Sequence, residues 1–297
     1  MLELRSKASK HILLTVIKEI QMRAVIKTLV GTAITVAAMS VAHADTQLFN
    51  WNLNLPSGQM ITGINQLGFN GDSFVNNIGF GNSDSFTFTD NGIFNITTKN
   101  AGTTLFGQGG QLTGDYQGGT GTGSRSAGSI MFNAGGVLNI YYNAAQTYDG
   151  AGATSANRDG AASGTLIASF AQVAGGGGAI NSDGTPNSNG TLTLNFVSTF
   201  FAPGVFTDAN GKNLMAGGTI GFITSNASQD LGNASSALAR QVLSGSSDTT
   251  NNPPAYFYVN NGGQLKLNAN AVPEPASLAI FGAGLMGLAA LRRRKSK

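Results

Sequence analysis

The stretch Ser85-Phe86-Thr87-Phe88-Thr89-Asp90-Asn91-Gly92-Ile93-Phe94-Asn95-Ile96-Thr97-Thr98 decides the fold class. Polar and aromatic residues alternate strictly in Ser85–Thr89, and a period of two is typical of a strand with one buried face. Asp90-Asn91-Gly92 has the composition of a tight turn, and Ile93–Thr98 is again rich in β-branched residues. The sequence therefore predicts two strands that form a hairpin around Asp90-Asn91-Gly92.

Similar short runs recur between residues 45 and 270, with Gly- and Asn-rich connections between them. Their alternation and composition predict seven further strands: Ser129–Phe132, Val137–Tyr142, Thr165–Val173, Thr191–Phe201, Gly218–Thr224, Ala255–Asn260 and Gln264–Leu267. Roughly nine or ten strands of this kind predict an all-β fold, an antiparallel β-sandwich with Gly/Asn-rich loops. Only Leu231–Leu243 has apolar residues at helical spacing.

Three of the connections have a composition typical of turns or loops. Asn133-Ala134-Gly135-Gly136 is predicted to be the turn of a second hairpin. Thr113–Ser126 is full of Gly and Thr, and Gly175–Gly190 begins with four glycines, so both are predicted to be long surface loops.

The charge of the chain is distributed unevenly along its length. Between Asp45 and Val272 there are six basic residues and eleven aspartates, so this body carries a net charge of −5 although the whole chain carries +3. An acidic body offers no basic patch to a phosphate backbone, which argues against a nucleic-acid partner.

The body also lacks Cys, His and Glu. A Ser-His-Asp or Cys-His catalytic site is therefore excluded there, as are the usual ligands of zinc and iron. A pair of aspartates could still act as acid and base in a polysaccharide hydrolase, with Asp149 and Asp159 as the best candidates. Because Asp is common in turns, we expect a body that is not an enzyme.

A calcium ion is the one cofactor that the composition suggests. Asp208-Ala209-Asn210-Gly211 places oxygen ligands Asp208 and Asn210 at alternate positions and a Gly at the bend, but no closing Glu follows. An ordinary turn explains the same residues.

Four Asn-x-Ser/Thr sites (Asn95, Asn189, Asn226 and Asn233) leave open that the chain is a surface glycoprotein. Trp51 is the aromatic that we expect to be most exposed for stacking on a sugar.

The N-terminus has the three parts of a secretory signal peptide. Arg23 and Lys27 form a basic region, residues 29–41 are apolar or small, and Ala42-His43-Ala44 presents Ala42 and Ala44 in the pattern that signal peptidase accepts. We predict a leader over residues 1–44 with cleavage after Ala44; residues 1–21 could be a start-site extension before Met22.

The C-terminus contains the most specific pattern in the chain. Val272-Pro273-Glu274-Pro275 precedes the uncharged run Ala276–Leu291, and Arg292-Arg293-Arg294-Lys295 follows it. A helix of 16 residues would be about 24 Å long, slightly short of a bilayer core. The basic cluster is predicted to remain cytoplasmic, so that the body lies outside the inner membrane while this transmembrane-type helix holds it.

This arrangement closely resembles the PEP-CTERM sorting domain. The resemblance covers residues 271–297 and implies recognition by an exosortase, a membrane cysteine protease-transpeptidase, near Pro273-Glu274-Pro275. It also implies a Gram-negative bacterium that produces extracellular polysaccharide. The predicted organisation is thus a signal segment (1–44), a β-rich extracellular body (45–270) and a sorting tail (271–297).

The body itself is similar to flocculation-associated PEP-CTERM proteins, in its length, its lack of Cys and segments such as residues 204–211. That resemblance implies an exported protein of the cell surface or extracellular matrix, with extracellular polysaccharide as partner and a role in flocculation or biofilm formation. The alternatives are a secreted hydrolase that uses Asp carboxylates and a bulk surface glycoprotein.

Overall fold

The computed structural model describes residues 46–79, 83–100, 102–107, 109–148, 158–182, 184, 187, 190–217, 219–229, 236–244 and 256–269. They all lie within Asp45–Ala271, which is one compact unit by its internal contacts. The predicted leader and tail lie outside the described residues.

Fourteen strands and two helices are present among the described residues. The strands are β1 Thr46–Gln47, β2 Trp51–Asn54, β3 Met60–Ile64, β4 Leu67–Ile78, β5 Ser85–Lys99, β6 Thr103–Thr104, β7 Gln111–Ser124, β8 Ser129–Phe132, β9 Val137–Asn143, β10 Thr165–Ala179, β11 Gly190–Phe201, β12 Phe206–Thr207, β13 Thr219–Gln229 and β14 Phe257–Ala269. The helices are α1 Arg158–Ala161 and α2 Ser236–Ser244.

The strands pair in antiparallel fashion, which confirms the predicted all-β fold. Strand β4 pairs with β5, β5 with β7, and β7 with both β8 and β9. Strands β8 and β9 pair with β10, and the order continues through β11, β13 and β14. Because β14 pairs back with β4, the strands close into a ring. The two facing sheets of the predicted sandwich are therefore opposite walls of this ring, joined by hydrogen bonds at both sides.

The predicted turn Asn133-Ala134-Gly135-Gly136 is wrong as a hairpin turn. Both β8 and β9 run antiparallel to the same strand, β7, and pair with successive parts of it. They therefore lie end to end beside β7 along one line and do not pair with each other as a hairpin. Residues 133–136 interrupt this line. The backbone of Gly135 and Gly136 instead bonds to Gln172 on β10, which satisfies the groups that the interruption frees.

The hairpin predicted at Asp90-Asn91-Gly92 is also wrong, because β5 runs through these residues as one strand of 15. The local irregularity is a bulge on the neighbouring β7, where the register shifts between Asp90 and Gly92. Gly118 has φ +74° there, and Oδ1 of Asn91 accepts a hydrogen bond of 2.7 Å from its backbone N–H. The turn-forming residues therefore stabilise a bulge in a continuous strand.

The predicted loop Thr113–Ser126 is instead most of strand β7. Gly121 and Gly123 lie opposite Phe88 and Phe86, and a Cβ added at either glycine would lie 2.2 Å from the facing phenylalanine Cζ. Each ring occupies the space that a side chain would need, so in residues 119–123 of the strand the glycines face inward and the threonines face outward.

The predicted loop Gly175–Gly190 is likewise wrong in its first part, since β10 continues to Ala179. Gly175, Gly176 and Gly177 all have positive φ and follow a register shift after Val173. Only glycine adopts such angles readily, so this run bends the strand without ending it. Similarly, residues 257–260 of the predicted strand Ala255–Asn260 and the predicted strand Gln264–Leu267 are parts of the single strand β14.

The main hydrophobic core fills the inside of the ring, and a small sheet of β12, β2 and β3 packs against it. Inward-facing side chains of the core include Phe88, Leu112, Ile140 and Phe170. Trp51 is 0% exposed and stacks on Phe206 with ring centroids 5.9 Å apart, so the prediction that it is an exposed aromatic is wrong.

A second cluster lies on the outer face of β4 and β5, beneath the two helices. It contains Leu238, Ala239 and Val242 of α2, within the predicted helix Leu231–Leu243. They pack with Phe74 and Ile93, whose side chains point out of the ring. Part of the outer surface is therefore a second buried interface.

The two ends of the body lie side by side. Strand β1 pairs with the end of β14 through Thr46↔Ala269 and Gln47↔Asn268. The fold is thus completed at the residues where the predicted leader ends and the predicted tail begins.

Candidate functional site

Most of the predicted site residues fall outside the described residues. These are the cleavage residues Ala42 and Ala44, the sorting motif Val272-Pro273-Glu274-Pro275 and the basic cluster Arg292-Arg293-Arg294-Lys295. Asp149 and three of the four glycosylation asparagines have no described side chain either. Asn95, the fourth, is 9% exposed in β5 and is therefore poorly placed to accept a glycan.

The predicted calcium ligands Asp208 and Asn210 form an exposed turn after β12. Oδ1 of Asp208 accepts the backbone N–H groups of Asn210 at 2.8 Å and Lys212 at 2.9 Å. Gly211 has φ +79° and donates its N–H to the carbonyl of Asp208. One carboxylate oxygen is thereby used to stabilise the turn, and calcium binding at this turn stays a prediction.

The carboxylate of Asp72 lies at the centre of the outer cluster, where it is 0% exposed. The Tyr148 hydroxyl donates to its Oδ2 at 2.7 Å, and the Tyr258 hydroxyl donates to its Oδ1. Burial and the nearby Asp72 charge raise the pKa of Tyr148, so this phenol remains a donor. The arrangement satisfies a buried anion with two hydrogen bonds and joins three segments of the chain.

Asp115 is the second carboxylate on the outer face of the strands beneath the two helices, which we call the covered face. It faces outward on β7, beside Ile93 on β5, which in turn lies beside Asp72 on β4. Arg158 of α1 binds it through two nitrogens, Nε to Oδ1 at 3.2 Å and Nη2 to Oδ2 at 2.6 Å. The two carboxylates are thus near each other, but each is engaged with partners that hold the covering segments to the ring.

Asp159, the described member of the predicted catalytic pair, is exposed on the short helix α1. Its neighbour Arg158 points to Asp115 and not to another acid. Among the described residues, no group of three or more metal-ligating side chains is present.

Among the described residues, one acidic side chain in the interior of the ring lacks such partners. Asp90 lines two cavities of about 50 and 30 Å³, together with Ser73 and Asn261. Its Oδ1 is buried without a hydrogen-bond partner among the described residues. Burial raises the pKa of the Asp90 carboxyl from 3.8 to about 7. The larger cavity is wide enough for a few water molecules but too small for a sugar.

A wider groove lies on the outer face at the opposite end of β5 and β7 from the covered cluster; we call it the strand-end groove. Its volume is about 530 Å³. Its outward-facing lining residues are Ile78, Ser85, Thr87, Thr122, Ser124, Ser129 and Met131. This surface is not among the predicted sites, although the alternation of Thr with Gly in residues 119–123 is a local signal for it.

The described residues include no helix with the length and apolar character needed to cross a membrane. The predicted tail helix is outside them.

The comparison with protein-family models matched residues 271–295 to the PEP-CTERM protein-sorting motif. The tail is a PEP-CTERM sorting motif. The match includes Val272-Pro273-Glu274-Pro275 and reaches Lys295 of the basic cluster. It implies exosortase-dependent sorting of an exported protein. Neither the curated proteins nor the solved structures that were compared with the chain gave a match.

Proposed function

We propose that this exported protein is displayed at the cell surface or in the extracellular matrix and helps to hold cells together in extracellular polysaccharide. The PEP-CTERM tail supports delivery by the exosortase route. The body would then act by binding, in flocculation or biofilm formation, and not by catalysis.

The observation that carries this proposal is the engagement of the carboxylates on the covered face. A glycosidase needs two carboxyl groups that can reach a substrate and exchange protons. Asp72 and Asp115 are 0% and 2% exposed and are engaged by tyrosine hydroxyls and by Arg158. They serve the fold, which favours a binding role for the surface that remains.

The charge of the body supports the same role. With six basic residues and eleven aspartates it is acidic, and among the described aspartates Asp72 and Asp115 are buried while Asp208 stabilises a turn. Its exposed face near the strand-end groove consists of Ser, Thr, Ile and Met side chains. Such a surface suits hydrated, hydroxyl-rich polymers.

The test is a deletion strain scored for cell aggregation. We expect deletion to reduce aggregation, wild-type protein to restore it, and a leader–tail fusion without residues 45–270 to fail. The purified protein should not shorten the polysaccharide of the producing cells. Normal aggregation after deletion would contradict the matrix role, and release of new chain ends from the polysaccharide would favour the hydrolase.

A further inference from the structure

The strand-end groove presents two rows of side chains that cross the strands. One row consists of three serines, Ser85, Ser124 and Ser129, on β5, β7 and β8. The other consists of Thr87 and Thr122, flanked by Ile78 and Met131. Neighbouring strands are about 4.8 Å apart and side chains two residues apart on one strand are about 6.6 Å apart. The groove is therefore a regular array of hydroxyl groups with an aliphatic residue at each end of one row.

The aliphatic ends of the array are exposed to an unusual degree for large side chains. Ile78 is 51% and Met131 is 61% exposed. The floor between them is backbone, because Phe86 points into the ring, where it is buried against Gly123. Hydroxyls that can donate and accept, next to apolar patches, match the two kinds of surface that a sugar ring presents: hydroxyl groups at its edge and C–H groups on its faces.

None of the described residues that line the groove carries a charge. At its rim, Asp84 accepts hydrogen bonds from the Ser126 backbone N–H at 2.7 Å and from the Ser124 hydroxyl at 2.9 Å. These bonds lower the pKa of Asp84, which keeps it ionised. Arg125 lies beside Asp84 at the rim, so the two charges offset each other there, and it is the net charge of −5 on the body that disfavours an acidic polymer as occupant.

The backbone of β5, β7 and β8 is paired on both sides at the level of the threonine row. There β4 pairs with β5, β5 with β7, β7 with β8 and β8 with β10. Peptides that bind by β-augmentation require an unpaired sheet edge. An occupant that lies on Thr87 and Thr122 is therefore recognised through side chains.

We propose that the strand-end groove binds a segment of neutral, hydroxyl-rich polysaccharide through Thr87 and Thr122. This inference rests on the proposed matrix function and assigns it a surface and a class of ligand. The sugar chain lies across the strands, so that the hydroxyls of Thr87 and Thr122, one strand separation apart, bind successive positions along it. Ile78 and Met131 contact its C–H faces.

The test measures binding of the mature, full-length protein to immobilised dextran, hydroxyethylcellulose and galactomannan, with alginate and polygalacturonate as acidic polymers. We expect retention on at least one neutral polymer. The double variant Thr87→Ala/Thr122→Ala should weaken it about thirtyfold, since each of the two hydroxyls contributes about 1 kcal/mol. Met131→Lys should weaken it as well. The matched control Thr103→Ala/Thr104→Ala changes two exposed strand threonines outside the groove and should bind like wild type.

The proposal would be overturned by binding to the acidic polymers alone, by binding to none of the neutral ones, or by neutral binding that the double variant leaves unchanged. Aggregation of the deletion strain distinguishes a failure of the groove proposal from a failure of the proposed matrix function. If the double variant restores aggregation and the body-less fusion does not, the groove is wrong and the matrix function stands. If the body-less fusion also restores it, the matrix function is wrong.

Discussion

The two ends of strands β5 and β7 differ in what covers their outer face. At one end Ile93 and Asp115 lie under the helices, and polar groups there are buried and paired. At the other end Thr87 and Thr122 are exposed on the same two strands. One wall of the ring thus has two different ends. The covered end stabilises the fold, and the uncovered end is exposed to solvent.

The largest effect should come from removing the carboxylate at the covered end. Asp72→Ala leaves the hydroxyls of Tyr148 and Tyr258 buried without their acceptor, and each such loss costs about 1–3 kcal/mol. We expect the free energy of unfolding to fall by roughly 2–5 kcal/mol in urea denaturation. Asp159→Ala, which changes an exposed aspartate, should stay within about 0.5 kcal/mol. Equal stability of the two variants would show that the covered end does not hold the fold.

A smaller loss should follow from a substitution on the inner side of the uncovered end. Gly121→Ala places a Cβ 2.2 Å from Cζ of Phe88 and 2.4 Å from the carbonyl oxygen of Met131. Overpacking of this kind costs about 1–3 kcal/mol. Thr122→Ala, its outward-facing neighbour, should change stability by less than about 0.5 kcal/mol while weakening glycan binding. A tolerant Gly121 would argue against the packing of β7 described above.

The third effect is a pH dependence of stability, confined to one pH range. It concerns Asp90, which lies at the boundary between the covered and uncovered ends. Its pKa is raised from 3.8 to about 7, so the folded chain retains a proton that the unfolded chain releases. Stability should therefore fall as pH rises from about 4 to about 7, by at most about 1.4 kcal/mol per pH unit. In Asp90→Asn this slope should disappear, and the variant should be the more stable protein at pH 8. Parallel melting temperatures of the two proteins across pH 4–8 would show that Asp90 is not buried in this way.

Strands could be predicted where polar and apolar side chains alternate within a single stretch of sequence, as in Ser85–Thr89. The path of β7 could not, because glycine carries no apolar signal and its inward position depends on Phe86 and Phe88 of another strand. The turn prediction at Asp90-Asn91-Gly92 is wrong for a related reason. The local preference of these residues is overridden by pairing with β4 on one side and β7 on the other.

The candidate surfaces were predictable to a smaller extent than the strands. The tail motif is contiguous, so its residues could be recognised directly. The strand-end groove collects residues from four strands, and their neighbourhood is set by pairing across the ring. Trp51 shows the opposite error, since this aromatic was expected to be exposed but is fully buried and stacks on Phe206.

The central claim is that the tail delivers a body that folds without it. Truncation after Asn270 removes the PEP-CTERM motif but preserves β14, which ends at Ala269. Cell fractionation of this variant should place a folded body in the medium, and replacement of Pro273-Glu274-Pro275 by alanines should leave unprocessed protein in the inner membrane. Truncated protein at the cell surface in normal amount would contradict the sorting role of the tail.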